Sequence, residues 1–306
     1  YKFVNNIIAY TLQSETLSLN DVARELVGEE KLKLDLEKIT KQLKSADETE
    51  LKKFCLYNLQ DAILTSKLFQ QLWPNIAEMT RIVQEPLFDT ARASYSQLVE
   101  SHILHSLKEF DEIAQSRPTR EEIEERKKRA RYIGAYVFQP RPALYEKLAV
   151  FDFLALYPSI IISFNISPST IAEKISEKEK NKFYESPEVE IERKKHVFYF
   201  SKEKGFIPII LQRLIEARKA IKEQLKKKPS PLLEARSYAL KTLANATYGY
   251  YGFFGARYYS VECAASITAF GRHFLHEVIE DAEKNGFQVI YGDTDSICLG
   301  LGKKSE

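Results

Sequence analysis

The sequence has few cysteines, no long apolar run and almost no net charge, and each shortage excludes a class of protein. Its three cysteines, Cys55, Cys263 and Cys298, are odd in number, far apart and without metal-ligand spacing. That excludes a disulfide scaffold and favours free thiols in a reducing compartment. No apolar run reaches the roughly 18 residues of a membrane span, and the opening Tyr1-Lys2-Phe3-Val4-Asn5-Asn6 has no signal-peptide layout. The expectation is a soluble, cytoplasmic protein with no membrane segment. Forty-five Lys and Arg against 43 Asp and Glu leave a net charge of +2, so bulk charge selects no partner and any electropositive surface must be local. There is no internal repeat and no low-complexity tract. What is present is 306 residues with 44% hydrophobic and 29% charged content, enough for a sizeable core and about two compact units. The chain begins without Met and stops ten residues beyond a dense carboxylate motif, so it is expected to be a piece of something longer.

From Ser18 to Phe69 apolar residues recur three and four apart, as in Val22, Leu26, Leu51, Phe54, Leu56 and Leu59, which predicts solvated amphipathic helices. A second helical stretch is predicted from about Ile76 to Phe110. Ser116-Arg117-Pro118-Thr119 then breaks the pattern and caps a charged helix over Arg120 to Arg131. From Tyr132 strands and turns follow: Tyr136-Val137-Phe138, then Leu148-Ala149-Val150-Phe151-Asp152-Phe153, which reads as a buried strand bearing one carboxylate. Pro208 sits in the first turn of the next helix, which runs to about Lys228. Lys-Lys-Lys-Pro-Ser-Pro separates it from a helix over Leu232 to Tyr248, making a projecting hairpin. After the glycine-rich stretch Tyr248 to Gly252 come a helix from about Cys263 to Asn285 and a strand, tight turn and strand carrying Gly292-Asp293-Thr294-Asp295-Ser296.

A polar turn explains Asp293 and Asp295 by themselves, because Gly, Asp and Ser dominate turns. Asp152 in Val-Phe-Asp-Phe-Leu is harder to explain, since burying even a neutral polar group unpaired costs about 2–7 kcal/mol. A sheet that pairs these strands brings two or three carboxylates to one edge, and such a cluster needs cations. Oxygen-only ligands favour Mg²⁺ or Mn²⁺, and a pair of such ions suits displacement at phosphorus.

Three segments, Asp152-Phe-Leu-Ala-Leu-Tyr157-Pro-Ser-Ile-Ile161, Lys241-Thr-Leu-Ala-Asn245-Ala-Thr-Tyr248-Gly249 and Tyr291-Gly-Asp293-Thr-Asp295-Ser296, closely resemble the polymerase motifs of family B DNA polymerases, most like the archaeal ones. They stand in the family's order at plausible spacing. The resemblance implies an α+β fold: a palm of antiparallel sheet backed by helices, an inserted antiparallel helical hairpin (the fingers) and an N-terminal helical remnant of an exonuclease domain. It divides the chain into the end of a 3′–5′ exonuclease domain (1–72), a connecting segment (73–116), palm (117–204), fingers (205–253) and palm again (254–306). It also implies that Asp152 and Asp295 ligate two Mg²⁺ ions, for which Mn²⁺ may substitute, together with the carbonyl of Phe153. Asp293 matches an acidic position of less direct role. The backbone of Phe153, Leu154, Ala155, Leu156 and Tyr157 would wrap the triphosphate of a deoxynucleotide, and Tyr157 would be the steric gate against a 2′-hydroxyl. Many members have Ser where this chain has Ala155, so a side-chain phosphate contact is not expected there.

Between Arg193 and Lys228 stand 12 Lys and Arg against three Glu, a local basic surface. Arg218 and Lys222 share one helix face, as do Lys241 and Asn245, with Tyr248 about a turn further on. The resemblance assigns Arg218, Lys222 and Lys241 to the phosphates, and Asn245, Tyr248 and Gly249 to the nascent base pair. Tyr132-Ile-Gly134-Ala135 resembles the family's template-contacting stretch, and Gly205-Phe-Ile-Pro208 the start of the fingers. Tyr57-Asn-Leu-Gln-Asp61 resembles the third exonuclease motif, but no Asp-x-Glu ahead of it matches the family's strand motif, so proofreading by this piece is not expected. Nothing corresponds to the thumb. The implied partners are primer–template DNA, deoxynucleotides and a thumb-bearing segment or second polypeptide, with a sliding clamp as a further partner. An archaeal protein would be associated with the nucleoid. A rival reading is a DNA-binding or assembly piece without catalysis of its own; a nuclease acting through Asp61 fails on ligand count.

Overall fold

The computed structural model describes residues 2–32, 48–129 and 132–301. The part of the predicted helical pattern over 33–47, the end of the predicted charged helix at 130–131 and residues 302–306 lie outside the described residues. The chain divides into two compact units, Tyr1–Ser94 with Glu223–Ala239, and Tyr95–Lys222 with Leu240–Glu306.

The first unit opens with a helical turn at Val4–Ile8, followed by α1 (Leu19–Val27), α2 (Glu48–Val83) and α3 (Leu87–Thr90). Ser18 caps α1 by accepting from the Asp21 amide, which satisfies one of the otherwise orphaned N–H groups of the first turn. Where the pattern suggested a break between two helical stretches, α2 runs straight on through residues 72 and 73 with Pro74 inside it. Proline removes one helical hydrogen bond there, and the buried stripe Leu64, Leu68, Leu72, Ile76, Met79 and Val83 holds the helix together across it. The same face carries Glu78, only 4% exposed. Arg236 donates to it through Nε at 2.7 Å and Nη2 at 3.2 Å, and Arg81 Nε at 3.2 Å. Burial disfavours the Glu78 anion, but the hydrogen bond from Arg236 and the charges of Arg81 and Arg236 outweigh it and hold the carboxyl below its ordinary range.

The second unit begins with α4 (Tyr95–Ser106) and α5 (Arg120–Arg129). Its main sheet is antiparallel, in the order β1 (Val137–Phe138), β8 (Gln288–Asp293), β9 (Ser296–Gly300), β2 (Leu148–Asp152). Between β2 and β8 lie α6 (Leu156–Ser163), the short strands β3 (Ile171–Ala172), β4 (Phe183–Glu185), β5 (Val189–Ile191), β6 (Lys194–His196) and β7 (Tyr199–Ser201), and three long helices, α7 (Phe206–Lys227), α8 (Pro231–Gly252) and α9 (Val261–Lys284). One core joins α9 to the sheet: Leu275 and Ile279 pack with Val289, Ile297 and Leu299, and Tyr136, Phe138 and Phe287 close its rim. Roots of α4, α7 and α8 share an apolar seam of Ile103, Ile207, Leu211, Leu214 and Leu243. Asn165 ties the strands to the start of α7, donating to the Ser201 and Glu203 carbonyls and accepting from the Gly205 amide at 3.0 Å. A side chain at Gly205 would lie 2.7 Å from Thr170 Cγ2, so glycine is required by space there.

Two expectations need correction. The strand bearing Asp152 is not buried: β2 is an outer strand of the sheet, Val150 is 70% and Phe151 56% exposed, and Asp152 itself is exposed. An apolar run fits an uncovered outer strand as well as a central one, so the burial argument for Asp152 fails and its significance rests on its neighbours. The helix expected over Leu232 to Tyr248 also runs further than its predicted end; α8 continues through Gly249 to Gly252, with Tyr250 and Tyr251 as buried anchors on its last turn. Tyr250 donates to Glu100 at 3.0 Å and Tyr251 to the Ile166 carbonyl at 3.1 Å.

Replacing Glu78 by Ala leaves two guanidinium groups without their anion and is expected to destabilise the first unit by about 3 kcal/mol. Because the folded-state pKa of Glu78 is depressed, its contribution is present above the ordinary value of 4.5 and lost as pH falls through the folded value. Chemical denaturation at pH 7 and at pH 3 should show the gap between wild type and Glu78→Ala shrinking at the lower pH.

Candidate active site

Strand pairing assembles the carboxylates. Asp152 on β2 and Asp293 on β8 both lie opposite Ser296 of β9, and Asp295 precedes Ser296 in the connecting turn. The Phe153 amide donates to the Asp295 carbonyl at 2.7 Å, fastening the end of β2 to that turn. Thr294 adopts a left-handed backbone (φ 55°), unusual for a β-branched residue. It is held there by its amide, which donates to the Tyr136 carbonyl at 3.0 Å, and by its hydroxyl, which donates to Asp293 Oδ1 at 2.8 Å. Tyr291 donates to Asp293 Oδ2 at 3.0 Å, so both oxygens of Asp293 are engaged within the hairpin.

Asp295 is raised above the ordinary carboxylate value by burial first and then by the negative charges of Asp152 and Asp293, and no cation is among the influences on it. A pair of like charges of this kind fits a hard divalent cation. Mg²⁺ binds through one or two carboxylates and completes its shell with water and substrate phosphates. Among the described residues no group of three or more His, Cys, Asp or Glu side chains is arranged to hold a metal ion.

Beyond β2, Leu154 is exposed and Ala155 takes a left-handed conformation (φ 51°) as the residue before α6, turning the chain so that α6 starts beside the carboxylates. Leu156 is buried and Tyr157 half-buried. The Tyr157 ring lies 4.5 Å from that of Tyr248, tilted by 44°, and the Tyr248 hydroxyl lies 3.1 Å from the Tyr132 hydroxyl. Burial, then the charge of Asp295, pushes the Tyr157 phenol up to about 12; burial raises Tyr248 as well. Both rings therefore stay neutral at any physiological pH. Three tyrosines from three separate segments thus form one array beside the aspartates.

The hairpin cations belong to the same unit. Lys222, Lys241 and Asn245 are exposed, Gly249 is exposed with open space around it, and Arg218 is half-buried with its Nε lacking a hydrogen-bond partner. Sequence reasoning missed two residues of α9, Thr268 and Arg272. Both donate to the Ile133 carbonyl, Thr268 Oγ1 at 2.9 Å and Arg272 Nη1 at 2.8 Å, and Arg272 also reaches the Gly134 carbonyl. Their spacing of four residues on an otherwise apolar helix face was the available signal. In the first unit, Tyr57 and Asp61 are brought together on α2 and share Lys31, whose Nζ lies 2.8 Å from Asp61 Oδ2 and 4.7 Å from the Tyr57 ring centroid. Lys31 was not singled out from sequence because it stands 30 residues away in a charged stretch.

DNA polymerase family B matches residues 86–306, and the chain belongs to that family. It is 37% identical over 308 residues to a DNA polymerase of Pyrococcus glycovorans, covering 98% of this chain and 38% of that protein. It is 36% identical to DNA polymerase 1 of Pyrococcus abyssi (strain GE5 / Orsay), with the same coverage. The solved family B DNA polymerase of the hyperthermophilic archaeon Pyrobaculum calidifontis superposes with a TM-score of 0.76 at 32% identity, over 98% of this chain and 39% of that one. The chain thus spans about two fifths of the length of the relatives it matches.

Relieving the carboxylate repulsion should be visible in stability. Asp295→Asn is expected to raise the melting temperature by about 1–3 °C at pH 7. The gain should vanish as pH falls below the ordinary carboxylate value of 3.8, where wild-type Asp295 is itself protonated. Added Mg²⁺ should stabilise wild type more than the variant. Thermal melts across pH, with and without the ion, check both statements.

Proposed function

We propose that the chain is the catalytic core of a template-directed DNA polymerase, joining deoxynucleotides to a primer 3′-hydroxyl. The observation that carries this reading is the meeting of Asp152 and Asp295 with the Tyr157–Tyr248 pair at one sheet edge, in a chain of this family. Asp152, Asp295 and the Phe153 carbonyl would hold two Mg²⁺ ions, which supply charge neutralisation at the α-phosphate and an activated primer oxygen. Asp293, bonded to Tyr291 and Thr294, keeps the turn in shape and would complete the catalytic carboxylates as a less direct ligand.

The Phe153 amide is taken by the Asp295 carbonyl, so the amides from Leu154 to Tyr157, around the left-handed Ala155 at the start of α6, are the ones that would cradle the triphosphate. Arg218, Lys222 and Lys241 neutralise the triphosphate, and the unpartnered Nε of Arg218 is a donor available for it. Asn245, Tyr248 and Gly249 line the nascent base pair, Tyr248 with Gly249 on its minor-groove side, and Tyr132 and Gly134 lie against template. Tyr157 stacks under the sugar and excludes a 2′-hydroxyl. Closure of the hairpin over a correct pair excludes water and completes the site. The five-part division into exonuclease end, connector, palm, fingers and palm belongs to this reading. So do the partners: primer–template DNA, deoxynucleotides, a thumb-bearing segment or second polypeptide, and a sliding clamp. In the exonuclease end Asp61 is paired with Lys31, and among the described residues no group of three or more metal-ligating side chains forms around it, which supports the reading that this piece does not proofread.

Primer extension on a primed template with Mg²⁺ and deoxynucleotides tests the proposal. Asp152→Ala and Asp295→Ala should each lower the rate by at least about 10³-fold, or about 4 kcal/mol in activation free energy. Extension undiminished in either variant would refute the assignment of the metal site. Tyr157→Ala should relax discrimination against ribonucleotides by about tenfold or more, worth about 1.4 kcal/mol. Equal discrimination in wild type and variant would remove Tyr157 from that role.

A further inference from the structure

We infer that Gly271 on α9 is a positioning residue that sets the seat of the Tyr157 ring and thereby the fit of the nucleotide sugar; this rests on the proposed role of Tyr157. Gly271 is buried in the interior of α9 and is absent from the residues with a left-handed backbone. Its conformation is open to any residue, and helix propensity favours alanine over glycine at such a position. Space is what requires glycine. A Cβ at 271 would lie 3.0 Å from Tyr157 Cε1 and 3.8 Å from Cδ1, with Leu156 Cδ2 at 3.7 Å.

The ring has little room to retreat from an added methyl group. Tyr248 lies against it at 4.5 Å, and the Tyr248 hydroxyl is bonded to that of Tyr132. Tyr132 is confined in turn: a Cβ at Gly252 would stand 3.2 Å from its hydroxyl, and Arg272 and Thr268 fasten the following Ile133 carbonyl to α9. The floor under Tyr157 and the clamp on the Tyr132 segment are therefore built from adjacent residues of one helix. A displacement of the Tyr157 ring is passed on to Tyr248, which lines the same pocket.

The test is a double-mutant cycle of Gly271→Ala and Tyr157→Ala in the full-length protein, read by thermal unfolding and by single-nucleotide incorporation. In the wild-type background Gly271→Ala is expected to lower the melting temperature and to raise KM for deoxynucleotides at least threefold, with kcat within twofold. In the Tyr157→Ala background, where the ring is gone, the same methyl group should raise the melting temperature and leave KM unchanged. Stabilisation by Gly271→Ala in both backgrounds, or an equal change of KM in both, would overturn the inference. Failure of the steric-gate reading is separable: Tyr157→Ala would then discriminate between sugars as wild type does, while the melting-temperature coupling between 271 and 157 would still be measured.

Discussion

The structure of the second unit is organised around a repulsion. Two carboxylates, Asp152 and Asp295, are carried to the same end of one sheet by antiparallel pairing of β2 and β8 with β9, and burial together with the charge of Asp152 makes ionisation of Asp295 harder. A fold does not gather like charges without support, and the support is visible. The Phe153 amide locks β2 to the turn, Thr294 accepts a strained backbone under two hydrogen bonds, and Asp293 is tied down on both oxygens. The hydrophobic seam between α9 and the sheet supplies the free energy that holds these groups in place.

The organic half of the site is organised by α9. Its apolar face packs on the sheet, while Thr268, Gly271 and Arg272 face the tyrosines and the Tyr132 segment. One rigid element thereby fixes the distance between carboxylates and aromatic array. Precision of that kind is easier to hold on a helix and a strand than on loops. The basic residues of α7 and α8 differ in being mostly exposed, as suits groups that meet a mobile, charged ligand.

The three motif segments were legible in the sequence because their chemistry is local: a carboxylate on a strand, a Lys and an Asn four apart, two Asp flanking Thr in a turn. The helical hairpin was legible too, through period and proline. Burial was less readable. The apolar stretch around Asp152 looked internal and proved to be an outer strand, since composition records hydrophobicity but not which neighbour covers it. Likewise the helix was expected to end at Tyr248, whereas buried Tyr250 and Tyr251 carry it through the following glycines.

By itself the sequence determined the family, the residue types available for metal and phosphate, and the order of the elements, because each of these is a property of spacing along the chain. Only the tertiary structure decided which groups meet. Lys31 reaches Asp61, Arg236 reaches Glu78 across 158 residues, and Gly271 lies under Tyr157. Such pairings depend on how elements pack, and packing is set by the summed shape of many apolar side chains rather than by any local pattern.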